Sequence, residues 1–240
     1  MQKHIVTAFE DDLKALSHKI SKMGGLAEEQ LAMSIKALET NDFELAKKTI
    51  AADKVIDELE LDIEERAILV IAKRQPMALD LRRVIVTIRI SSDLERIGDL
   101  AKNIAKRVIA IDGQTPKSLV SGFHAMSELA QKLLKDVLDA FASEDVEKAV
   151  RVWRKDEDLD ALYNSIFREL LTYMMEDTRN ISFCTHLLFG AKNIERIGDH
   201  ATNIAENIHY MVTGVLLTEE RPKMDNTSTS KFDFDENSNI

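Results

Sequence analysis

The sequence predicts an all-α protein made of two tandem antiparallel three-helix bundles, and three observations support this fold. The 240-residue chain has only three prolines and eight glycines, whereas 31% of its residues are charged. This composition is typical of amphipathic helices and unlike that of an all-β protein. Apolar residues recur at three- and four-residue steps over long segments. Finally, the sequence Glu-Arg-Ile-Gly-Asp occurs twice, at 95–99 and at 195–199.

The first segment with helical periodicity covers about residues 4–39, with apolar residues that include Leu16, Ile20 and Leu31. Gly24 and Gly25 fall in its middle, where each glycine costs about 1 kcal/mol relative to alanine. We therefore expect either one long helix or two helices, with the glycines as the place where a kink or a short break would fall.

Two further helices complete the first half. The polar turn at 40–42 can cap a helix over about 43–74, which Pro76 ends. A third helix is predicted over about 77–111, because a core stripe of apolar residues follows the helical period there. The stripe consists of Ile90, Leu94, Ile97, Ala101, Ile104 and Val108.

The second half repeats this plan. We predict helices over about 118–141 and 146–175, and a last helix that follows the turn at 177–180 and ends near Val212. Because three amphipathic helices joined by short turns form an antiparallel bundle, each half should be a domain of this kind.

The domain boundary is expected at 112–116, where a glycine, polar residues and a proline follow one another. The first bundle then covers residues 1–112 and the second covers residues 116–213. From residue 218 to residue 240 the composition changes to Thr, Ser, Asn and Asp, with few apolar residues. This composition predicts a disordered C-terminal tail.

The repeat also duplicates pairs of carboxylates. Side chains four residues apart on a helix are neighbours, so two like charges in these positions repel each other. The third helix of each half carries one such pair and the second helix carries another, and the members are Glu95, Asp99, Glu195, Asp199, Asp53, Asp57, Asp156 and Asp160. Recurrence at equivalent places favours a shared role over chance.

The helical wheel places Glu95 and Asp99 on the opposite side of the helix from the core residue Ile97, so both are expected at the surface. Asp53 and Asp57 lie on the flank of the second helix's apolar stripe. Packing the second helix beside the third would therefore bring both pairs to one groove. Cations would then be needed to hold the carboxylates together.

Two alternatives remain open for the acidic pairs and for the glycine of the motif. The pairs could form a solvated helix face with Arg96 and Arg196 as counter-charges. Gly98 and Gly198 could leave a hollow for ions or could let a neighbouring helix approach closely. If metal binds, a set of oxygen ligands favours magnesium, manganese or oxidised iron over zinc.

Composition excludes several functional classes. The formal net charge of −10 disfavours nucleic-acid binding, because such a surface repels phosphate backbones. No signal peptide and no apolar stretch of membrane-spanning length is evident, so a cytoplasmic location is expected. The single cysteine, Cys184, has apolar neighbours and is expected to be a buried, inert thiol.

The sequence does not favour an enzyme. A ferritin-like di-iron protein needs two Glu-x-x-His motifs, but the one present, from Glu206 to His209, has Lys106 and Ile109 at the equivalent positions of the first half. His200 could add a nitrogen ligand to the second acidic site alone. No grouping of nucleophile, base and orienting residue is visible, and no glycine-rich phosphate loop.

Two copies of a three-helix unit, each with Glu-Arg-Ile-Gly-Asp followed by Asn-Ile-Ala, resemble the PhoU family of phosphate-transport accessory proteins. The stretch at 74–82, Arg-Gln-Pro-Met-Ala-Leu-Asp-Leu-Arg, resembles a motif of the same family. The resemblance covers about residues 5–213 and excludes the tail. The second half has Glu-Asp-Thr-Arg-Asn at 176–180 in place of the Arg-Gln-Pro stretch, so contacts of Arg74 or Arg82 are not expected to recur there.

The resemblance implies a non-enzymatic, cytoplasmic regulator that restrains phosphate uptake and represses the phosphate-starvation response. It implies two partners, the ATPase component of the phosphate ABC transporter and a membrane sensor histidine kinase, and contact with the membrane only through them. It also implies a homodimer, and metal ions such as iron or zinc at the eight carboxylates named above. The alternative is a metal-independent helical adaptor whose acidic faces bind a basic partner.

Overall fold

A computed structural model describes residues 2–111 and 117–217, with side chains over 8–111 and 122–217. Every regular element in these ranges is helical, so the predicted all-α class and the two three-helix bundles are confirmed. The helices are α1 Gln2–Thr40, α2 Phe43–Arg74, α3 Leu79–Ala110, α4 Lys117–Ser143, α5 Val146–Arg154, α6 Asp156–Glu176 and α7 Ile181–Thr213, with a 3₁₀ helix at Thr178–Asn180 before α7.

The turn between the first and second helix has the same construction in both halves. Asp42 accepts a hydrogen bond from Leu45 N at 2.9 Å, and Asp145 accepts one from Lys148 N at 2.9 Å. Each aspartate therefore caps the helix that follows it, as short polar side chains do at helix N-termini. The residue before each aspartate, Asn41 or Glu144, has a positive φ near 50°. The duplication thus extends to backbone conformation.

For two helices the structure decides what the sequence left open or misjudged. The helix α1 runs unbroken through Gly24 and Gly25, so the alternative of one long helix is confirmed. A Cβ at position 24 would overlap Leu138, which shows that α4 approaches α1 closely there. The single helix expected over 146–175 is wrong, since Lys155 separates α5 from α6. Lys155 N bonds to Val152 O at 3.0 Å, so a tight turn ends α5 directly before Asp156.

The two halves are joined mainly by α3 and α7, which pack antiparallel to each other. Arg82, early in α3, lies 5.4 Å from the ring of Tyr210, late in α7. At the other end, Arg107 lies 4.9 Å from the ring of Phe189. Buried apolar residues from both halves form one continuous core. The helices α3 and α7, which carry the repeated motif, therefore each pack against the other helices of their own bundle and against one another.

Parts of the predicted domain organisation lie outside the described residues. These are the boundary at 112–116 and the tail at 218–240. None of the helices within 2–111 and 117–217 combines the length and apolar character that a membrane span requires.

Candidate functional site

The first acidic cluster lies between α2 and α3. Asp53 on α2 is only 4% exposed, and its Oδ1 accepts a hydrogen bond from Gln30 Nε2 of α1 at 3.1 Å. Its Oδ2 forms an ion pair with Nζ of Lys102 on α3. Lys102 Nζ also lies 2.5 Å from Asp99 Oδ1, so one ammonium group links the carboxylates of two helices.

Glu95 and Asp57 complete the first cluster and experience its negative charge. Burial, together with the charge of Asp99, raises the pKa of Glu95 to about 7. Burial and the charge of Asp53 also raise the pKa of Asp57. Asp99 behaves differently: although burial acts in the opposite direction, the hydrogen bond from Lys102 lowers its pKa. Lys102 therefore neutralises part of the negative charge of the first cluster.

The second acidic cluster lies between α6 and α7 and is more deeply buried. Asp156 and Asp160 on α6 are each 2% exposed, and Glu195 on α7 is 4% exposed. The hydroxyl of Thr202 lies 3.2 Å from Asp156 Oδ1. Lys192 Nζ contacts Glu195 Oε1 at 3.0 Å, whereas the buried Oε2 of Glu195 has no hydrogen-bond partner.

Glu195 is the strongly perturbed carboxyl group of the second cluster. Burial raises its pKa to about 7, and the charges of Asp199 and Asp160 add to this effect while Lys192 opposes it. The half-buried Asp199 and the buried Asp160 are thus close enough to Glu195 to act on it. The sequence prediction that the two carboxylate pairs of this half share one groove is consistent with this arrangement.

The motif carboxylates are less accessible than the helical wheel predicts. Glu195 is buried and Glu95 and Asp99 are only partly accessible, with side-chain exposures of 18% and 30%. The helical wheel considered one apolar stripe per helix, but α3 contacts α1, α2 and α7, and α7 contacts the helices of its own bundle as well as α3. The side of α3 opposite Ile97 is therefore partly covered by α2, whose Asp53 shares Lys102 with Asp99.

The motif glycines allow the close approach of a neighbouring helix. A Cβ at Gly98 would lie 3.1 Å from Ile56 Cδ1 and 3.5 Å from Asp53 Oδ1. A Cβ at Gly198 would overlap Leu159 and would lie 3.2 Å from Asp156 Oδ1. Of the two roles left open by the sequence, the structure supports tight helix packing, and that packing also brings the α2 and α6 carboxylates to the motif.

The histidines have other partners. Nδ1 of His200 lies 2.9 Å from Asp93 Oδ1, so this residue joins α7 to α3. Glu206 accepts a hydrogen bond from Trp153 Nε1 at 2.9 Å, and Nδ1 of His209 lies 2.9 Å from the carbonyl of Val215. Both polar residues of the Glu-x-x-His sequence thus form hydrogen bonds with other parts of the protein. Cys184 is buried as expected, and burial raises the pKa of its thiol.

The fit of the clusters to a metal ion differs between the halves. Both supply carboxylate oxygens, which suit hard cations. Among the residues with described side chains, no three Asp, Glu, His or Cys side chains are positioned to ligate one ion as they stand. The first cluster has Lys102 between its carboxylates, and each cluster has one buried oxygen without a hydrogen-bond partner, Gln30 Oε1 in the first and Glu195 Oε2 in the second. A cation would give Glu195 Oε2 a partner, and this matters because a buried acceptor without one is energetically costly.

Sequence reasoning missed the residues that distinguish the clusters. Lys102 and Thr202 occupy equivalent places, three residues after Asp99 and Asp199, and this difference is visible in the aligned repeats. No sequence signal identifies Gln30, which reaches the first cluster from α1 and is 2% exposed.

The Arg-Gln-Pro stretch has a structural role in the first half. Arg74 Nε contacts Asp12 Oδ2 of α1 at 3.0 Å, and Arg82 Nη1 donates to the carbonyl of Tyr210 at 3.4 Å, at the end of α7. In the second half, where these contacts were not expected to recur, Arg179 Nη2 donates instead to Asp177, two residues before it. Arg82 thus helps to hold the two halves together.

Comparisons with known proteins agree with this architecture. The family model described as "PhoU domain" matches twice, at residues 20–108 and 123–208. A "Phosphate-specific transport system accessory protein PhoU homolog" from Rhizobium meliloti (strain 1021) is 58% identical over 227 residues, which is 94% of this chain and 96% of the relative. A protein of the same description from Caulobacter vibrioides (strain NA1000 / CB15N) is 50% identical over 226 residues, which is 94% of this chain and 98% of the relative.

A solved structure is similar over most of the fold. The crystal structure of PhoU from Pseudomonas aeruginosa superimposes with a TM-score of 0.83 at 38% sequence identity, and the match covers 86% of this chain and 100% of that chain. The family model, the sequence relatives and the structural neighbour all extend over both halves. The chain therefore belongs to the PhoU family.

Proposed function

We propose that this protein is a cytoplasmic, non-enzymatic regulator of phosphate homeostasis. It restrains uptake by a phosphate ABC transporter and represses the phosphate-starvation two-component response when phosphate is plentiful. The observation that carries this proposal is the 58% identity to a protein named as an accessory of the phosphate-specific transport system, over almost the full length of both chains. Identity at this level over two domains supports a shared role in phosphate transport.

The partners in this proposal are the ATPase component of the transporter and a membrane sensor histidine kinase. The protein reaches the membrane through them and acts as a homodimer. The polar contacts of Glu206, His200 and His209 with other parts of the chain favour a non-catalytic role for these side chains. The description of the relatives as accessory proteins also favours a non-catalytic role.

We also propose that the chain binds metal ions through its duplicated acidic motif. Iron, zinc, manganese and magnesium are the candidates, and the oxygen donors favour the harder ions among them. The buried Glu195, with an unsatisfied oxygen and two further carboxylates close by, supports this proposal. An ion would draw these carboxylates together and offset the repulsion between them.

The alternative, a metal-independent adaptor that presents acidic faces to a basic partner, fits the structure less well. Such a partner would need access to the motif carboxylates. Four of the eight are buried, and these are Asp53, Asp156, Asp160 and Glu195. A protein surface cannot pair with a charge that lies between two packed helices.

Deletion of the gene tests the regulatory role. In phosphate-rich medium, a deletion strain should produce alkaline phosphatase as if it were starved, because nothing represses the response. Enzyme activity in cell extracts measures this output, and a plasmid with the wild-type gene should return it to the parental level. Output as low as in the parent strain would refute the proposed role.

A further inference from the structure

A groove between α3 and α7 lies beside the end of α7. It holds a cavity of about 410 Å³, and none of the eight motif carboxylates lines it. The lining residues are Arg89, Ser92, Asp93, Asn203, Glu206, Asn207 and Leu216. Leu216 belongs to the chain that follows α7, so the chain leaves its last helix along this groove.

The turn after α7 directs the chain towards the groove. Gly214 ends α7 with a φ of 78°, a left-handed conformation that glycine adopts without steric cost. A Cβ at this position would overlap the guanidinium group of Arg82, so the turn lies directly against α3. Nδ1 of His209 lies 2.9 Å from the carbonyl oxygen of Val215, which holds the turn on α7. The chain therefore leaves the described range, at residue 217, beside the groove.

Two arginines of α3 lie at this end of the groove without an acidic partner. Arg82 and Arg89 lie 5.4 and 5.9 Å from the centre of the Tyr210 ring. No carboxylate of the described residues forms an ion pair with either guanidinium group. A guanidinium group has five donors in a planar arrangement that matches a carboxylate. These two side chains can therefore bind an acidic ligand.

The two acids that line the groove already have donors within the protein. Asp93 Oδ1 lies 2.9 Å from Nδ1 of His200, and Glu206 Oε1 accepts a hydrogen bond from Trp153 Nε1. Asp93 also lies one helical turn beyond Arg89, farther from the end of α7. The end of the groove beside the turn therefore keeps the positive charge of its arginines.

Exposed apolar side chains lie at the same end of the groove. Val215 and Leu216 are each 61% exposed, and Val212 is 37% exposed. Single exposed apolar residues are ordinary, but these three fall within five consecutive positions beside the arginines. A ligand that combines aromatic rings with carboxylates would therefore fit this end of the groove.

The sequence beyond the described residues contains a segment with this chemistry. Residues 232–236, Phe-Asp-Phe-Asp-Glu, carry two aromatic rings and three carboxylates, with no basic residue among them. Phe232 and Phe234 are the two aromatic residues in the range 218–240. In an extended chain successive side chains point to opposite sides, so the rings would share one side and the aspartates the other.

We propose that residues 232–236 dock in the same molecule on the end of the groove formed by Arg82, Arg89, Val215 and Leu216. Residues 218–231 connect the two, and a coil of that length spans about 20 Å on average. The segment is therefore within reach of the groove. A short connection raises the local concentration of a ligand to roughly the millimolar range, so a modest affinity is sufficient. The docked segment closes the groove to other acidic ligands.

The reactivity of an introduced cysteine tests this docking in the full-length chain. The native Cys184 is buried, whereas Val215 is exposed at the proposed docking site. In the Val215→Cys variant, the rate of modification by a neutral maleimide should rise by a factor of roughly three or more when Phe232→Ala and Phe234→Ala are added, because the undocked fraction grows. Ala52→Cys, exposed near the start of α2, should react at the same rate with and without these two changes.

Charge reversal tests the part played by the arginines. In the Val215→Cys background, Arg89→Glu should raise the rate as the two alanine changes do, and it should add nothing once those changes are present. Asp233→Lys together with Asp235→Lys should restore protection to the Arg89→Glu variant. Arg154→Glu, which reverses an exposed arginine of α5, should leave the rate unchanged. If Arg89→Glu does not fold by circular dichroism, Arg89→Ala replaces it.

Measurements at low and at much higher protein concentration identify the occupant of the groove. Equal protection at both concentrations supports docking within one molecule. Protection that appears only at the higher concentration would assign the groove to the segment of a second copy and would overturn the inference. Equal rates with and without Phe232 and Phe234 would also overturn it, and would leave the groove to a different acidic partner. The deletion phenotype and the metal content test the proposed function separately.

Discussion

Replacing Glu195 by glutamine is expected to stabilise the metal-free protein at pH 8 by roughly 3 kcal/mol. The folded-state pKa of Glu195 is about 7, against an ordinary value of 4.5. One unit of pKa difference corresponds to about 1.4 kcal/mol between protonation states. The folded protein therefore holds this proton more tightly than the unfolded chain does, and wild-type stability falls as the pH rises from about 4.5 to about 7. Glutamine does not ionise, so the stability of the variant should not fall in this way as the pH rises.

Urea unfolding of both proteins in chelator, at several pH values from 4.5 to 8, measures the effect. The difference in free energy of unfolding should be small near pH 4.5 and should grow until about pH 7. Glu65→Gln, in which an exposed carboxyl on α2 is neutralised, serves as the control and should follow the wild type within about 0.5 kcal/mol. Parallel curves for wild type and Glu195→Gln would show that Glu195 titrates normally.

Replacing Gly198 by valine is expected to destabilise the protein by about 3 kcal/mol, at the upper end of the usual cost of overpacking. A Cβ at this position would already overlap Leu159, and it would lie 3.2 Å from Asp156 Oδ1. Valine adds two methyl groups beyond that atom, so α6 would have to move away from α7. The second cluster would then open, because Asp156 and Asp160 move with α6.

Gly25→Val in α1 is the matched control, since nothing lies within 4 Å of a Cβ built there. Its free energy of unfolding should change by no more than about 0.5 kcal/mol, as is usual for an open surface position. Denaturant unfolding of both variants in chelator gives the comparison. Equal stability of the two variants would contradict the close approach of α6 and α7 at the motif.

Much of the fold could be predicted because its signals are local. Apolar periodicity identified the helices, and Asp42 and the repeat identified the turns. The break at Lys155 could not be predicted, because the sequence around it contains neither proline nor glycine. It depends on how α5 and α6 pack against the rest of the second bundle.

The sequence singled out the clustered carboxylates but not their environment, and their role as metal ligands stays a prediction. The spacing of Glu195 and Asp199, and of Asp156 and Asp160, identified the carboxylates. Their burial depends on contacts between helices far apart in the sequence, which a helical wheel does not contain. The role of Lys102 likewise depends on the distance between α2 and α3. Only the structure therefore shows that this lysine links Asp53 to Asp99.

The metal content of the purified protein tests most directly whether the duplicated motif is a cation site. A variant in which Glu95, Asp99, Glu195 and Asp199 are all alanine is compared by elemental analysis with the wild type. A control variant replaces four exposed acids elsewhere by alanine, and these are Glu29, Glu44, Glu64 and Glu65. We predict bound metal in the wild type and in the control, and none in the motif variant. Equal metal content in all three proteins would contradict the assignment of the motif as a cation site.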